Sequence, residues 1–179
     1  MPRVSAPNVM AGAVAERPEL DRFDPVNRRR LSAPGLRTFL RIADHWGLNE
    51  QQRLLILGYP SRSRYNSWCK QVQQHKQLTL NVDVLMRISA VLGIYQGLRV
   101  LYSGEQHAVD WLRTPHKAII FGGYPPLDLV TCGTQDGLLT VRRFLDSACG
   151  GHYIPPGILD AGFLGYDDAD IVVRPAREV

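Results

Sequence analysis

The sequence predicts an all-α fold in which a helix-turn-helix bundle is followed by a second, smaller helical domain. Apolar residues recur at spacings of three and four along most of the chain. Asn49 and Asn81 stand where helices should begin, and Gly47 and Gly58 stand where helices should end. With 179 residues and 45% hydrophobic content, the chain is long enough to bury a core of one domain or two small ones.

The first 33 residues are predicted to form a flexible basic arm. They contain four prolines without sustained apolar periodicity and end near the triplet Arg28, Arg29, Arg30. Such a triplet can bind DNA phosphates, although a short basic run is also a common solvated feature. The first helix is expected over residues 36–46, after Pro34 and Gly35.

Residues 34–76 have the pattern of a helix-turn-helix. Asn49 and Gln52 have the spacing of a capping box at the start of the second helix, and that helix should end at Gly58. A third helix is predicted after the short turn Gly58–Pro60, with three inward residues at spacings of three and four. These are Tyr65, Trp68 and Val72.

The outward face of the third helix carries the side chains that DNA recognition requires. Arginine can bond guanine, asparagine can bond adenine, and serine and lysine can reach phosphate. The predicted DNA-binding residues are Arg62, Ser63, Arg64, Asn66, Ser67 and Lys70. Residues 1–76 hold 13 Lys and Arg against 6 Asp and Glu, which favours a polyanionic partner. The alternative is a basic, solvated helix in a small bundle that does not bind DNA.

Residues 77–103 are predicted to form linking helices. Asn81 caps the first of them, and Gly93 is expected to break the apolar run into two helices. Leu, Ile and Val occur on more than one face, which predicts burial on several sides. A homodimer seam or an ordinary monomer core would account for this pattern equally well.

Residues 104–154 combine helices with a stiff, partly apolar loop. A helix over 105–112 should end before Pro115, and the glycines at 122 and 123 permit a turn with positive φ. Pro126 then suits the first position of a short helix. A last helix is expected over 135–148, with Arg142 outward. From its residues alone, the loop is predicted to be a buried connector between two helices.

This ordered series resembles the toxin-binding domain of the Xre/MbcA/ParS family of antitoxins. The resemblance rests on Trp111 and Leu112, a proline, the Gly122-Gly123 pair, a second proline and the Leu-Asp-Leu of 127–129, and it extends from about Leu36 to Tyr153. It implies a homodimeric antitoxin whose partner is a RES-domain toxin, an enzyme that consumes NAD. The toxin-binding residues so implied are Phe121, Gly122, Gly123, Tyr124, Arg142, Gly150, His152 and Tyr153.

Residues 155–179 form an acidic tail to which the family resemblance does not extend. From residue 151 onward the chain holds 2 Lys and Arg against 5 Asp and Glu, with Asp167, Asp168 and Asp170 close together. A cationic NAD pocket would attract these carboxylates, so they are predicted to pair with toxin arginines. A loose terminus is the alternative.

Several classes of function are disfavoured by what the sequence lacks. Cys69, Cys132 and Cys149 are odd in number and widely spaced, and the histidines lack metal-ligand spacing. No hydrolase or phosphate-binding motif, secretory signal or membrane-spanning run is evident. We therefore expect a cytoplasmic protein without metal, cofactor or enzymatic activity. The main alternative to an antitoxin is a stand-alone helix-turn-helix transcriptional regulator without a toxin partner.

Overall fold

The computed structural model describes residues 24–150, and all the regular secondary structure in that range is helical, with no β-strand. This confirms the all-α prediction. The elements in order are α1 (Pro25–His45), α2 (Glu50–Ile56), α3 (Arg62–Gln73), α4 (Val82–Leu101), α5 (Glu105–Arg113), a single 3-10 turn (Ile119–Phe121), α6 (Pro126–Val130) and α7 (Gln135–Cys149).

Helix α1 begins eleven residues earlier than predicted, so residues 25–33 belong to a helix and not to a flexible arm. Pro34 lies inside the helix, where it removes one backbone donor. Tertiary contacts outweigh that cost. The fully buried Ser32 hydroxyl donates to the carbonyl of Arg28 (2.6 Å) and accepts from the amide of Leu80 (2.9 Å). The Arg28 guanidinium donates to the carbonyl of Leu80 through Nη2 at 2.9 Å.

Helix α4 runs unbroken through Gly93, where a break was predicted. Gly93 and Gly97 lie on the face that meets α7: a Cβ on Gly93 would meet the guanidinium of Arg142, and a Cβ on Gly97 would lie 3.1 Å from Cβ of Leu145. These glycines therefore allow close helix packing and do not end the helix. A mid-helix glycine costs about 1 kcal/mol, which tertiary packing readily offsets.

The core is organised around α4, which packs against α1 on one side and α7 on another. By length and composition α4 could also cross a membrane, with a mean hydropathy of 1.4. Its buried residues instead join a single core that includes Leu36 and Phe39 of α1 and Leu138 and Val141 of α7. The two predicted halves of the protein therefore share one hydrophobic core.

Most of the predicted helix ends are confirmed. Asn49 and Gln52 form a reciprocal capping box, with bonds of 2.9 and 3.0 Å. The Asn81 side chain accepts from the amide of Val84 at 2.8 Å. Gly47, at φ +63°, follows the end of α1. These features were predictable because caps depend on residues close together in sequence.

Candidate functional site

The turn between α2 and α3 has two consecutive residues in the left-handed region. Gly58 has φ +81° and Tyr59 has φ +58°, and Ser61 then caps α3 by accepting from the amide of Arg64. Tyr65 and Val72 are buried beneath the helix, as predicted. Trp68, which was expected to be buried, is half-buried and packs against the edge of the core.

All six residues predicted to bind DNA are exposed on α3. They are Arg62, Ser63, Arg64, Asn66, Ser67 and Lys70. Three of them have side-chain partners within the chain: Arg62 pairs with Glu50 of α2 at 2.7 Å, the Ser63 hydroxyl lies 3.2 Å from the Ser61 hydroxyl, and the Ser67 hydroxyl accepts from the Gln71 amide at 3.1 Å. The Arg62 pair lies in solvent, where such a contact stabilises the fold by at most about 1 kcal/mol. The arginine is therefore free to exchange its partner for a phosphate.

The phenol of Tyr65 anchors α3 in an apolar setting. Burial raises the pKa of Tyr65 to about 12, with the neighbouring Cys69 thiol adding to the rise and the Arg53 guanidinium opposing it. Burial also raises the pKa of Cys69. Arg53 is held in turn by Asp44 at 2.7 Å and by the carbonyl of Leu48 at 2.9 Å. These contacts fix the underside of α3 to α1 and α2.

The loop from residue 114 to residue 125, between α5 and α6, rests on a cluster of aromatic rings. Ring centroids in this aromatic cluster lie 5.0 to 6.4 Å from those of their neighbours, mostly edge to face, and Trp111 stacks on Phe144 at 6.0 Å. Such pairs each stabilise by about 0.5–1.5 kcal/mol beyond the burial of apolar area. The members are Tyr102, Trp111, His116, Phe121 and Phe144.

Backbone hydrogen bonds close the same loop into a compact turn. The amide of His116 donates to the carbonyl of Tyr124 at 3.3 Å, and the amide of Gly122 donates to the carbonyl of Ile119 at 3.0 Å. Gly122 and Gly123 have φ of +57° and +81°, as their sequence predicted. The loop is thus held both by its own backbone and by the rings beneath it.

The tip of this loop presents large apolar side chains to solvent. Ile119 is 96% exposed, Tyr124 is 68% exposed and Ile120 is 46% exposed. The loop is therefore not the buried connector that its residues alone suggested. Sequence reasoning did not single out Ile119 and Ile120, because an apolar run does not reveal which members face inward. The 3-10 turn at 119–121 decides this by placing Phe121 inward.

An apolar cleft of about 290 Å³ lies beside the loop, between the end of α4 and α7. Leu101, Tyr102 and Trp111 line it together with Phe144 and Ala148. Burial raises the pKa of Tyr102. The cleft shares Tyr102, Trp111, His116 and Phe144 with the aromatic cluster, so the cleft and the loop rest on the same rings.

The structure brings only some of the predicted toxin-binding residues to one surface. Gly122, Gly123 and Tyr124 are exposed at the loop tip, whereas Phe121 is only 4% exposed and supports the loop from beneath. Arg142 was expected to point outward, but it lies across Gly93 and donates to the carbonyl of Ser89 at 3.1 Å. Its position is set by the tight contact of α7 with α4, which the sequence did not reveal.

The remaining predicted contacts are near or beyond the end of the described range. Gly150 follows the last turn of α7 and is exposed. His152, Tyr153, Asp167, Asp168 and Asp170 lie outside the described residues. Within residues 24–150, no group of three or more His, Cys, Asp and Glu side chains is placed to hold a metal ion.

A second apolar groove, of about 430 Å³, lies along the N-terminal half of α4. It runs between α1 and α4 and is lined by Leu31, Pro34, Val82, Leu85 and Met86, among others. Leu31 is exposed at its edge. This face of α4 is not covered by α7 and contains residues of the predicted dimer seam.

Comparison with known proteins defines the class of protein to which these surfaces belong. Residues 25–93 match the antitoxin Xre-like helix-turn-helix domain, and residues 97–151 match the antitoxin Xre/MbcA/ParS C-terminal toxin-binding domain. A curated relative, the uncharacterized protein y4oB of Sinorhizobium fredii, is 36% identical over 116 residues, which cover 65% of this chain and 84% of the relative.

The fold and the two matches together define an antitoxin with an N-terminal helix-turn-helix and a C-terminal toxin-binding domain. The chain belongs to the Xre/MbcA/ParS antitoxin family. The exposed face of α3 lies in the first matched domain, and the loop of residues 114–125 lies in the second.

Proposed function

We propose that this antitoxin neutralises a RES-domain, NAD-degrading toxin by covering the toxin's active site. The observation that carries the proposal is the loop tip, where the almost fully exposed Ile119 stands on a loop fixed by aromatic rings. An exposed apolar patch of this kind marks a protein-binding surface. Because hydrogen bonds already order the loop backbone, little backbone conformational freedom is lost on binding.

The contacts at this surface are proposed to be largely apolar. Ile119, Ile120 and Tyr124 project from the loop, and the neighbouring cleft can receive an apolar side chain of the toxin. Protruding residues beside a cleft are the arrangement in which a few buried anchors dominate binding energy. The exposed glycines at 122 and 123 permit close approach of a partner backbone.

The acidic tail is proposed to complete the occlusion. Asp167, Asp168 and Asp170 would pair with cationic groups that bind the NAD pyrophosphate, because carboxylate–arginine pairs are strong when desolvated. Truncation after Tyr153 tests this part separately. We expect the truncated chain still to bind the toxin through the loop, but to need a higher concentration to stop NAD turnover. Equal neutralisation by the truncated and full chains would remove the tail from the mechanism.

The helix-turn-helix is proposed to bind the operator of the antitoxin's own operon and repress it. Six exposed donors and acceptors on α3 support this role, as does the charge of residues 1–76. A homodimer reading two half-sites is proposed, with the groove between α1 and α4 as the seam. The protein is proposed to act in the cytoplasm and to have no enzymatic activity of its own.

Co-expression with the adjacent gene tests the proposal as a whole. We expect the adjacent gene alone to arrest growth and deplete NAD, and the antitoxin to restore growth and to co-purify with the toxin. Growth arrest that persists despite full antitoxin expression would contradict the antitoxin role. An adjacent product without NAD-degrading activity would contradict the RES-domain assignment.

A further inference from the structure

The imidazole of His116 accepts a hydrogen bond from the backbone of its own loop. The amide of Ala118 donates to Nδ1 of His116 at 3.1 Å. A ring nitrogen accepts a hydrogen bond only when it carries no proton, so this contact requires the neutral imidazole with its proton on Nε2. The contact therefore defines both the charge and the tautomer of the ring.

Three aromatic side chains hold the His116 ring in this orientation. The ring centroids of Trp111, Phe121 and Phe144 lie 5.6, 5.0 and 5.5 Å from that of His116, each roughly edge to face. They belong to α5, the 3-10 turn and α7, so three elements contact the imidazole. Because of this packing, the ring cannot turn Nδ1 away from Ala118 without breaking the aromatic contacts.

His116 and Ala118 together support the exposed tip of the loop. The carbonyl of Ala118 accepts from the amide of Phe121 at 2.9 Å and so closes the 3-10 turn that carries Ile119. The backbone amide of His116 donates to the carbonyl of Tyr124, at the other end of the tip. His116 is therefore bonded to the loop on both sides of the exposed Ile119.

We propose that His116 is a positioning residue for toxin binding: its neutral ring holds the loop tip in the form that binds, and protonation of the ring releases the tip. This inference rests on the proposed function, in which the tip contacts the toxin. A proton on Nδ1 would set two N–H donors against each other, so the amide of Ala118 would lose its acceptor. Histidine side chains gain this proton between about pH 8 and pH 5. The antitoxin should therefore hold its toxin less tightly as the pH falls.

The ionisable side chains near His116 within residues 24–150 offer no counter-charge to a protonated ring. In the adjoining cleft the other titratable residue is Tyr102 of α4, and burial raises the pKa of its phenol, so Tyr102 stays neutral at acidic pH. The acidic side chains of α5 and α7 that adjoin the aromatic cluster in sequence bond within their own helices; they are Asp110, with Gln106, and Asp146, with Arg142. The cationic residues that adjoin the cluster in sequence are exposed; they are Arg113, Lys117 and Arg143.

The test is the dissociation constant of the full chain for the toxin encoded beside it, measured at about pH 8 and at about pH 5.5. His116→Asn keeps a neutral acceptor, because Oδ1 of asparagine takes the place of Nδ1, but it does not titrate. His116→Phe keeps an aromatic ring and removes the acceptor. His75→Asn is the matched control, since His75 is exposed after the end of α3 and asparagine tolerates its φ of +53°.

We expect acidification to weaken toxin binding by the natural chain and by His75→Asn roughly fivefold to tenfold more than toxin binding by His116→Asn. This comparison removes the titration of the toxin's own groups from the result. At about pH 8, His116→Asn should bind nearly as tightly as the natural chain, whereas His116→Phe should bind weakly at both pH values. A merely structural role of the ring would make His116→Asn the weaker of the two variants.

A second measurement uses the free chain and does not depend on the toxin. The NMR shifts of the ring nitrogens of His116 should show Nδ1 without a proton at about pH 8. On acidification the amide of Ala118 should lose protection from hydrogen exchange, while the amide of Thr114, which donates to the carbonyl of Asp110, should keep it.

Two results would overturn the inference: a proton on Nδ1 at about pH 8, or the same loss of toxin affinity on acidification in the natural chain and in His116→Asn. If His116→Asn does not fold, binding by His116→Phe as tight as that of the natural chain overturns it instead. Failure of the natural chain to bind the toxin at either pH contradicts the proposed function itself, and the NMR measurement then decides the role of His116 in the loop.

Discussion

At the scale of single residues, Tyr65 gives the helix-turn-helix a defined response to alkaline pH. Its pKa is raised from 10.0 to about 12, mainly by burial. The unfolded chain therefore loses the phenol proton at a lower pH than the folded chain does. The contribution of Tyr65 to stability is fully present below about pH 10 and is lost as the pH rises toward 12.

Tyr65→Phe should therefore weaken the dependence of stability on pH above about pH 10. Urea denaturation in steps from neutral pH upward measures this as the shift of the midpoint. The control is Tyr124→Phe, because Tyr124 is exposed on the loop and away from the core. An equal loss of stability per pH step in the natural chain and Tyr65→Phe would show that this phenol has no such role.

At the scale of elements, Gly137 shows how closely α6 and α7 are packed. It lies in the first turn of α7, and a Cβ there would overlap the backbone carbonyl oxygen of Leu129. Because a backbone atom cannot move aside as a side chain does, α6 would have to shift. Gly137→Ala should destabilise the fold by about 1–3 kcal/mol, the usual cost of overpacking.

Gly35→Ala is the matched control in another helix. Its new Cβ would meet Cγ2 of Ile88 at 3.5 Å, an ordinary contact. This substitution should be neutral or stabilise α1 by about 0.5–1 kcal/mol, because alanine is the better helix former. The urea denaturation midpoints of Gly137→Ala and Gly35→Ala, each compared with that of the natural chain, measure these two effects. Equal effects of the two substitutions would contradict the close contact of α6 with α7.

The exposed residues of α3 lead to predictions about the salt dependence and the sequence specificity of operator binding. Lys70→Ala removes one exposed charge, so it should weaken operator binding for all sequences and lower the salt slope by about one. Asn66→Ala should instead reduce discrimination between operator and unrelated DNA by about 1–3 kcal/mol. Fluorescence anisotropy over a salt series measures both, with Lys117→Ala of the loop as control. An unchanged salt slope in Lys70→Ala together with unchanged discrimination in Asn66→Ala would show that α3 does not contact the DNA.

The elements also show which features the sequence could reveal. The capping box of Asn49 and Gln52 and the glycine turn at 122 and 123 were predictable, because each depends on a few adjacent residues. The helical start of α1 was not, because it depends on Ser32 meeting the amide of Leu80, 48 positions away. For the same reason Gly93 was taken for a helix end, although it accommodates Arg142 of α7.

The two candidate surfaces also differ in how much of each could be predicted from the sequence. The outward residues of α3 follow from helical periodicity, and all six are exposed. The loop tip was located by its glycines and prolines, but the inward Phe121 and outward Ile119 could not be distinguished within one apolar run. Phe121 faces inward because its ring packs against Trp111 of α5 and Phe144 of α7, and these contacts are distant in the sequence.

At the scale of the whole molecule, the two functional domains are parts of one packed body. Arg113 of α5 donates to the carbonyl of Trp46 at the end of α1, and Arg87 joins α2 to the loop before α7. One core extends from Leu36 to Leu145. The molecule thus presents the exposed face of α3, proposed to bind DNA, and the apolar loop in a fixed relation.

The most direct test of the antitoxin role is NAD turnover by the adjacent gene's product, measured while the full chain is titrated in. We expect turnover to stop near stoichiometric antitoxin. Ile119→Lys should raise the required concentration roughly thirtyfold, equivalent to about 2 kcal/mol for an anchor residue. Val26→Lys, at an exposed apolar position of α1, should act like the natural chain. Undiminished NAD turnover at excess natural chain, or full inhibition by Ile119→Lys at the concentration at which the natural chain inhibits, would contradict the account.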